Sequence, residues 1–280
     1  MIGRLMIGLV TSLAWAMATV AFGQTTADPN AKEGSSATQA PAQSNGVGAP
    51  CQLPGAAMAG AASLPRIAEA IKRKKSSRIL VIGASSSAFM RDTGTGYYTL
   101  IETLLEKTIP GVDVHIVDRS VSGEIARDAV EHMRSEVALE PPDLVLWQLG
   151  GSDTMARIDA GEFEKTVDEG ISWLHGHGID VAIIGMSFVR NLRADTHYQA
   201  IRNALVRVSQ RHKVLRIGRY EAMQMLDHAQ AHKDNGPVNE FALTEDGYDC
   251  LSEYVVRMLT AGIFVKAGQG NTRAHNGGAR

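Results

Sequence analysis

The sequence has few of the residues that mark metal, redox or nucleic-acid-binding proteins. It contains only two cysteines, and 28 Lys and Arg residues against 30 Asp and Glu give a net charge of -2. This near-neutral balance gives no electrostatic reason to expect nucleic acid as a partner. No metal-ligand spacing, P-loop or dinucleotide-binding glycine pattern is present. We therefore expect a protein that uses neither a cofactor nor a metal.

An apolar run lies close to the N-terminus. Arg4 precedes LMIGLVTSLAWAMATVAF, and the small residues Ala21 and Gly23 lie near its end. This pattern predicts a secretory signal peptide over residues 1–23 and a periplasmic or secreted protein. An uncleaved membrane anchor is the alternative, because the run is about long enough to span a bilayer. We expect no membrane association beyond this leader.

Two segments lack large apolar residues. Residues 24–50 are rich in Ala, Ser, Gln, Gly and Pro, and residues 267–280 have a similar composition. Such segments cannot bury enough surface to offset their chain entropy, so both are predicted to be disordered. The remaining residues, 51–266, have the length of one domain.

The two cysteines are Cys51, at the start of this domain, and Cys250, in its last predicted helix. In an exported protein, two cysteines can close one disulfide and leave no free thiol. We expect this bridge, with two unpaired buried thiols as the alternative.

Apolar runs alternate with amphipathic stretches along the domain. The runs contain mainly Val, Ile and Leu without polar alternation, which is typical of parallel strands buried on both faces. The pattern predicts a three-layer α/β/α sandwich with a five-stranded parallel sheet. The predicted strands are Arg78–Gly83, Val112–Asp118, Asp143–Leu149, Ile179–Met186 and Val214–Gly218. Ligands bind beyond the carboxyl ends of such strands.

Three serines follow the first predicted strand in the segment GASSS. Ser85 is separated from this strand by Ala84 alone, and Gly83 permits the tight turn that would expose its hydroxyl. A helix N-cap is the structural alternative, because serine is common at that position.

Four segments resemble the sequence blocks of the SGNH hydrolases, also called GDSL esterases and lipases. They are GASS at Gly83–Ser86, SVSGE at Ser120–Glu124, GGSD at Gly150–Asp153 and LTEDGY at Leu243–Tyr248. The resemblance covers nearly the whole domain, with each block after the expected element. It implies a flavodoxin-like SGNH hydrolase fold and serine ester hydrolysis. The implied substrate is a small-molecule or glycan ester, such as an O-acyl group of an extracellular polysaccharide.

The same resemblance implies roles for particular residues. Ser85 corresponds to the nucleophile and Gly123 to a backbone donor of the oxyanion hole. Ser152 stands where the family has the Asn that completes this hole. In the last block, Asn239 stands at the Asp position and Ala242 at the His position.

Alanine has no proton acceptor, so the family's general base is missing from its expected position. One interpretation is a substitute base, for which His232 followed by Asp234 is the candidate, with His228 nearby. A second is a pseudoenzyme that binds an acylated or carbohydrate ligand without cleaving it. A third is that the alignment is displaced, against which the LTEDGYDC match argues.

Two further sets of residues have a functional and a structural interpretation. The segment FVRNLRADTHY brings Arg190 and Arg193 near the predicted site, where arginines can hold an anionic or sugar group. Solvated loop residues are the alternative. Trp147, within the third strand, is predicted to be a core residue rather than a platform for sugar.

Overall fold

Five parallel strands form the sheet of the computed structural model, which describes residues 62–84, 97–231 and 245–265. Their order across the sheet is β2-β1-β3-β4-β5. The strands are β1 Ser76–Gly83, β2 Asp113–Asp118, β3 Leu144–Gln148, β4 Asp180–Ile184 and β5 Leu215–Ile217. The predicted five-stranded parallel sheet is therefore confirmed.

Eight α-helices in the described part of the chain flank this sheet. They are α1 Pro65–Lys74, α2 Tyr97–Thr108, α3 Ala126–Leu139, α4 Gly151–Met155, α5 Ala160–Gly176, α6 Thr196–His212, α7 Arg219–Ala231 and α8 Glu245–Phe264. A 3₁₀ helix covers Arg190–Leu192. The helix α4 has no signal in the sequence, because five residues are too few to show a helical period.

Alternate residues of each strand pack on opposite faces of the sheet. On β1, Ile79 and Val81 belong to one apolar core, whereas Leu80 and Ile82 belong to the other. Side chains of α1, α2 and α8 contribute to the first core, and those of α3, α5 and α6 contribute to the second. This period-two division gives the three-layer α/β/α sandwich that the sequence predicts.

The fourth strand ends earlier than the sequence predicts. It was expected to reach Met186, but β4 ends at Ile184. The N–H of Gly185 still donates to the carbonyl of Ile217 at 3.2 Å, after which the chain leaves the sheet. Met186 is buried and contributes to the lining of a cavity at this end of β4.

The predicted signal peptide, linker and tail, at residues 1–23, 24–50 and 267–280, lie outside the described residues, as does Cys51. These interpretations stay predictions. No helix in the described ranges is both long enough and apolar enough to cross a membrane.

Candidate active site

Gly83 ends β1 in a conformation that favours glycine. Its φ angle is +102°, and a Cβ atom at this position would lie only 2.0 Å from the carbonyl oxygen of Gln148 on β3. No side chain fits this space without a backbone shift. The glycine therefore lets the carboxyl ends of β1 and β3 approach closely.

Gln148 holds the backbone of the residue that follows Gly83. The N–H of Ala84 donates to the Gln148 carbonyl at 3.1 Å, and the Gln148 side-chain amide donates to the carbonyl of Ala84. The hydroxyl of Tyr98 donates to Gln148 Oε1 at 3.3 Å. Burial raises the pKa of Tyr98, so this hydroxyl stays protonated and can donate. These contacts fix the chain immediately before Ser85.

The loop after β2 lies beside the end of β1. The N–H of Val121 donates to the carbonyl of Gly83 at 3.0 Å, and Val121 forms an isolated parallel bridge with Ala84. Gly123 has a φ angle of +79°, and the space around its Cα is open. Because the loop is bonded to β1, Gly123 lies at the same edge of the sheet as Ala84.

The loop after β3 enters the short helix α4, which carries Ser152 and Asp153. Asp153 is 2% exposed. Its Oδ1 accepts from the N–H of Ala126 at 2.8 Å, and its Oδ2 accepts from the N–H of Gly150 at 3.2 Å. Burial raises the pKa of this carboxyl, while the two N–H groups oppose that shift. Asp153 thus joins the start of α3 to the loop that presents Ser152.

A cavity of about 420 Å³ lies at this edge of the sheet. Its lining combines Ala84 from the end of β1, Gly123 from the loop after β2 and Ser152 from α4. The chain beyond β4 contributes Ser187. The cavity therefore lies beyond the carboxyl ends of the strands, which is where ligands bind in open α/β sheets.

Arg219, the first residue of α7, brings a positive charge to this cavity. It is 5% exposed and belongs to the cavity lining. Burial raises the pKa of Tyr97 to about 12, and the charge of Arg219 opposes this increase. The cationic group therefore acts on the cavity and on the buried tyrosines beside it.

Residues 50–264 match the sequence model of the non-GDSL lipase-like family. The chain belongs to the non-GDSL lipase-like family. Among curated proteins, Esterase TesA of Pseudomonas aeruginosa is 26% identical over 114 residues, which is 40% of this chain and 56% of that protein. The match thus spans just over half the length of this relative. Together with the fold, these findings confirm the assignment to the SGNH hydrolases.

Several solved structures of esterases share the fold of this family member. A crystal structure of TesA has a TM-score of 0.53 at 22% identity and covers 65% of this chain and 97% of its own. The acetyl xylan esterase AlAXEase has a TM-score of 0.51 at 18% identity and covers 66% of this chain and 98% of its own. At these identities the comparison supports the α/β/α fold.

Several predicted site residues of this lipase-like chain lie outside the described residues. They are Ser85, His232, Asn239 and Ala242. The structure does bring Gly123 and Ser152 to one cavity, and their predicted roles as oxyanion donors stay predictions. No histidine belongs to the cavity lining within the described ranges, and His228 is exposed on α7.

The arginines after β4 do not reach this cavity. Arg190 donates to both carboxylate oxygens of Asp227 on α7, at 2.8 Å each, and Arg193 is exposed. Neither residue belongs to the lining of the cavity. Trp147 is fully buried among apolar side chains, so its predicted core position is confirmed.

Among the lining residues that were not predicted, Gln148 and Arg219 each have a signal in the sequence. Gln148 is a polar residue in the otherwise apolar run DLVLWQL, next to the predicted turn. Arg219 directly follows Gly218 at the predicted end of the fifth strand. A search for every polar residue at a strand end, rather than for the family's blocks alone, finds both.

Proposed function

We propose that this lipase-like protein is a serine ester hydrolase with Ser85 as its nucleophile. One observation carries the proposal: Gly123 and Ser152 line the same cavity as Ala84, the residue that precedes Ser85 in the chain. Ala84, Gly123 and Ser152 are far apart in sequence and lie at one cavity, which supports the single site that the family resemblance implies. The close approach of Gly83 to Gln148 leaves no room for a side chain at Gly83, two residues before Ser85.

The proposed chemistry is acyl transfer to water through Ser85. Attack of the serine oxygen on the ester carbonyl places negative charge on the carbonyl oxygen. The backbone N–H of Gly123 and the hydroxyl of Ser152 are the proposed donors to this oxygen. The proton of the Ser85 hydroxyl passes to the substitute base, proposed as His232, which returns it to the leaving alcohol as the intermediate collapses. Water, activated by the same base, then releases the acid from the serine. Ser152 replaces an amide with a hydroxyl, which is also a hydrogen-bond donor.

The proposed substrate is a short acyl ester of a glycan or of another small molecule. The cavity volume of about 420 Å³ suits a small ligand, and its lining is rich in small residues such as Gly151, Ala156 and Gly185. The fold neighbour AlAXEase is an acetyl xylan esterase. An O-acetylated extracellular polysaccharide is therefore the substrate class that we propose first.

A binding protein without turnover is the second candidate. It is favoured because Ala242 and Asn239 occupy the family's His and Asp positions, and because no histidine or carboxylate lines the cavity among the described residues. In a well-studied serine protease, loss of the histidine alone costs about 10⁶ in turnover. As a binding protein, the chain would use the same cavity for an acylated or carbohydrate ligand. His232, with Asp234, is the substitute base that we propose if the protein turns over.

Labelling with a fluorophosphonate probe tests the proposed nucleophile. We expect the probe to modify Ser85, and Ser85→Ala to abolish both labelling and hydrolysis of short-chain reporter esters. Ser86→Ala is the matched control, because it removes the neighbouring hydroxyl, and it should keep both. Labelling that persists in Ser85→Ala would disprove the assignment of the nucleophile.

A second pair of variants separates the enzyme from the binding protein. If the cavity is otherwise competent, Asn239→Asp with Ala242→His should raise esterase activity by at least about 10²-fold, as the family's base is restored. His232→Ala should abolish activity only if this histidine is the substitute base. An unlabelled wild-type protein that binds an acetylated oligosaccharide saturably would favour the binding protein.

We also propose that the protein is exported to the periplasm or secreted, with residues 1–23 removed. The leader composition supports export, and an oxidising compartment would allow Cys51 to pair with Cys250, a buried residue of α8. Intact-mass measurement of protein from the periplasm, before and after reduction, checks both points. A retained leader, or two thiols that alkylate without reduction, would contradict them.

A further inference from the structure

A buried glutamate joins the loop of Gly123 to the end of β1. Glu124 directly follows Gly123, and its side chain is 8% exposed. Its Oε2 accepts from the backbone N–H of Gly83 at 3.1 Å. The N–H at the end of a buried strand requires an acceptor, and here a side chain of the neighbouring loop supplies it.

The second oxygen of Glu124 is held by a histidine on α3. His132 Nδ1 lies 3.0 Å from Glu124 Oε1. The other ring nitrogen of His132 lies 3.7 Å from Oε1 of Glu136, and Arg119 donates to Oε2 of Glu136 at 3.1 Å. The carboxylate is therefore held on both sides, so its rotamer and its contact with Gly83 are fixed.

The contact with Gly83 lies two residues before Ser85 in the chain. On its other side, Gly83 is held by Val121 N–H at its carbonyl and by the close approach of Gln148. Glu124 is thus the side chain that ties the turn before the proposed nucleophile to the loop of the proposed oxyanion donor. A displacement of about 1 Å between reacting groups can cost about 10² in rate.

We propose that Glu124 is a positioning residue for ester hydrolysis, acting through its hydrogen bond from Gly83. The inference rests on the proposed function, because it assumes that Ser85 and Gly123 act in one reaction. Glu124 does not take up a proton in this role. It needs only to accept a hydrogen bond from Gly83, so a neutral acceptor of the same length should replace it.

Four variants test the contact through kcat and KM for a short-chain reporter ester. Glu124→Met has a similar length and no strong acceptor, and Glu124→Asp keeps the charge but is one methylene shorter. Both should lower kcat at least tenfold and leave KM within twofold. Glu124→Gln keeps an oxygen for Gly83 and presents its amide N–H₂ to His132, which accepts in one neutral tautomer. It should keep kcat within threefold.

Glu136→Met is the matched control, since Glu136 contacts the same histidine but not Gly83. Its kcat should stay within twofold of the wild type. If Glu124→Met does not fold, Glu124→Asp and Glu124→Gln still separate acceptor loss from charge loss.

The outcomes distinguish this inference from the proposed function. If the wild type is active and Glu124→Met is unimpaired, the inference alone is overturned. The same holds if Glu124→Gln or Glu136→Met loses as much kcat as Glu124→Met. A wild type that neither hydrolyses esters nor reacts with a fluorophosphonate would overturn the proposed function, and the inference with it. A loss confined to Glu124→Met and Glu124→Asp supports the positioning role.

Discussion

Two buried aspartates at opposite ends of the strands show how similar contacts serve different purposes. Asp153 lies beyond the carboxyl end of β3, and Asp180 begins β4 at the amino end of the sheet. Each is nearly buried, at 2% and 6% exposure, and each accepts two backbone N–H groups. They differ in the number of oxygens that accept and in the segments that donate.

Asp180 uses one oxygen for two adjacent donors. Its Oδ2 accepts from the N–H groups of Arg66 and Ile67, at 2.8 and 3.1 Å, both in the first turn of α1. This is a helix cap supplied from a distant strand. Asp153 instead uses both oxygens, one for Ala126 and one for Gly150, and so joins the start of α3 to the loop after β3.

Burial of a carboxylate therefore does not by itself mark a functional site. At the amino end, the contact fastens one helix to the sheet. At the carboxyl end, Asp153 and Glu124 each join two strand-end segments that surround the cavity. The carboxyl-end edge is suited to catalysis because these two side chains join the segments around the cavity, and not because they are charged.

The largest expected effect is that of Asp153→Asn. An amide has one acceptor oxygen, so its N–H₂ group must face either the N–H of Ala126 or that of Gly150. A buried N–H without an acceptor costs about 1–3 kcal/mol. We expect the free energy of unfolding to fall by about 2 kcal/mol, and kcat to fall at least tenfold because both loops shift.

Chemical denaturation and steady-state kinetics measure these two effects. Asp180→Asn is the matched control, because its single amide oxygen can still accept from both Arg66 and Ile67. It should keep kcat within twofold and change the unfolding free energy at pH 7 by less than about 1 kcal/mol. Equal losses in the two variants would contradict the comparison.

Much of the fold could be predicted from the sequence, because it follows from local patterns. The unbroken run RILVIG predicts a strand buried on both faces, and β1 is such a strand. The predicted fourth strand is too long because the apolar run IDVAIIGM continues to Met186, whereas β4 ends at Ile184. Residue types alone do not show where the backbone leaves the sheet.

The candidate site could be predicted only in part. Gly123 and Ser152 were found because family blocks mark them, and the structure brings both to the cavity. The bond of Glu124 to Gly83 spans 41 positions, and that of Asp153 to Ala126 spans 27. The periodicity of apolar residues cannot predict these hydrogen bonds, because they form only where separate segments meet in the folded protein.

The smallest expected effect is a change in pH dependence at the amino end of the sheet. Burial raises the pKa of Asp180 to about 6, although the N–H groups of Ile67 and Arg66 oppose this shift. In the unfolded chain the group titrates near pH 4. Between these values the folded protein binds more protons than the unfolded one, so the contribution of Asp180 to stability falls as pH rises. It is fully present below about pH 4 and is lost as pH passes through about 6.

Asp180→Asn removes this titration and keeps the acceptor oxygen. The difference in unfolding free energy, wild type minus Asp180→Asn, should therefore decrease from pH 4 to pH 7. We expect a decrease on the order of 1 kcal/mol, because solvent screens part of the effect at the edge of the sheet. Urea denaturation of both proteins at several pH values measures this difference, in which the titrations common to both cancel. A difference that increases with pH would mean that the cap at Asp180 favours the charged form, as a cap at a helix N-terminus does when its carboxyl is exposed. A difference that stays constant would mean that folding does not change the pKa of Asp180. Either result would contradict the prediction.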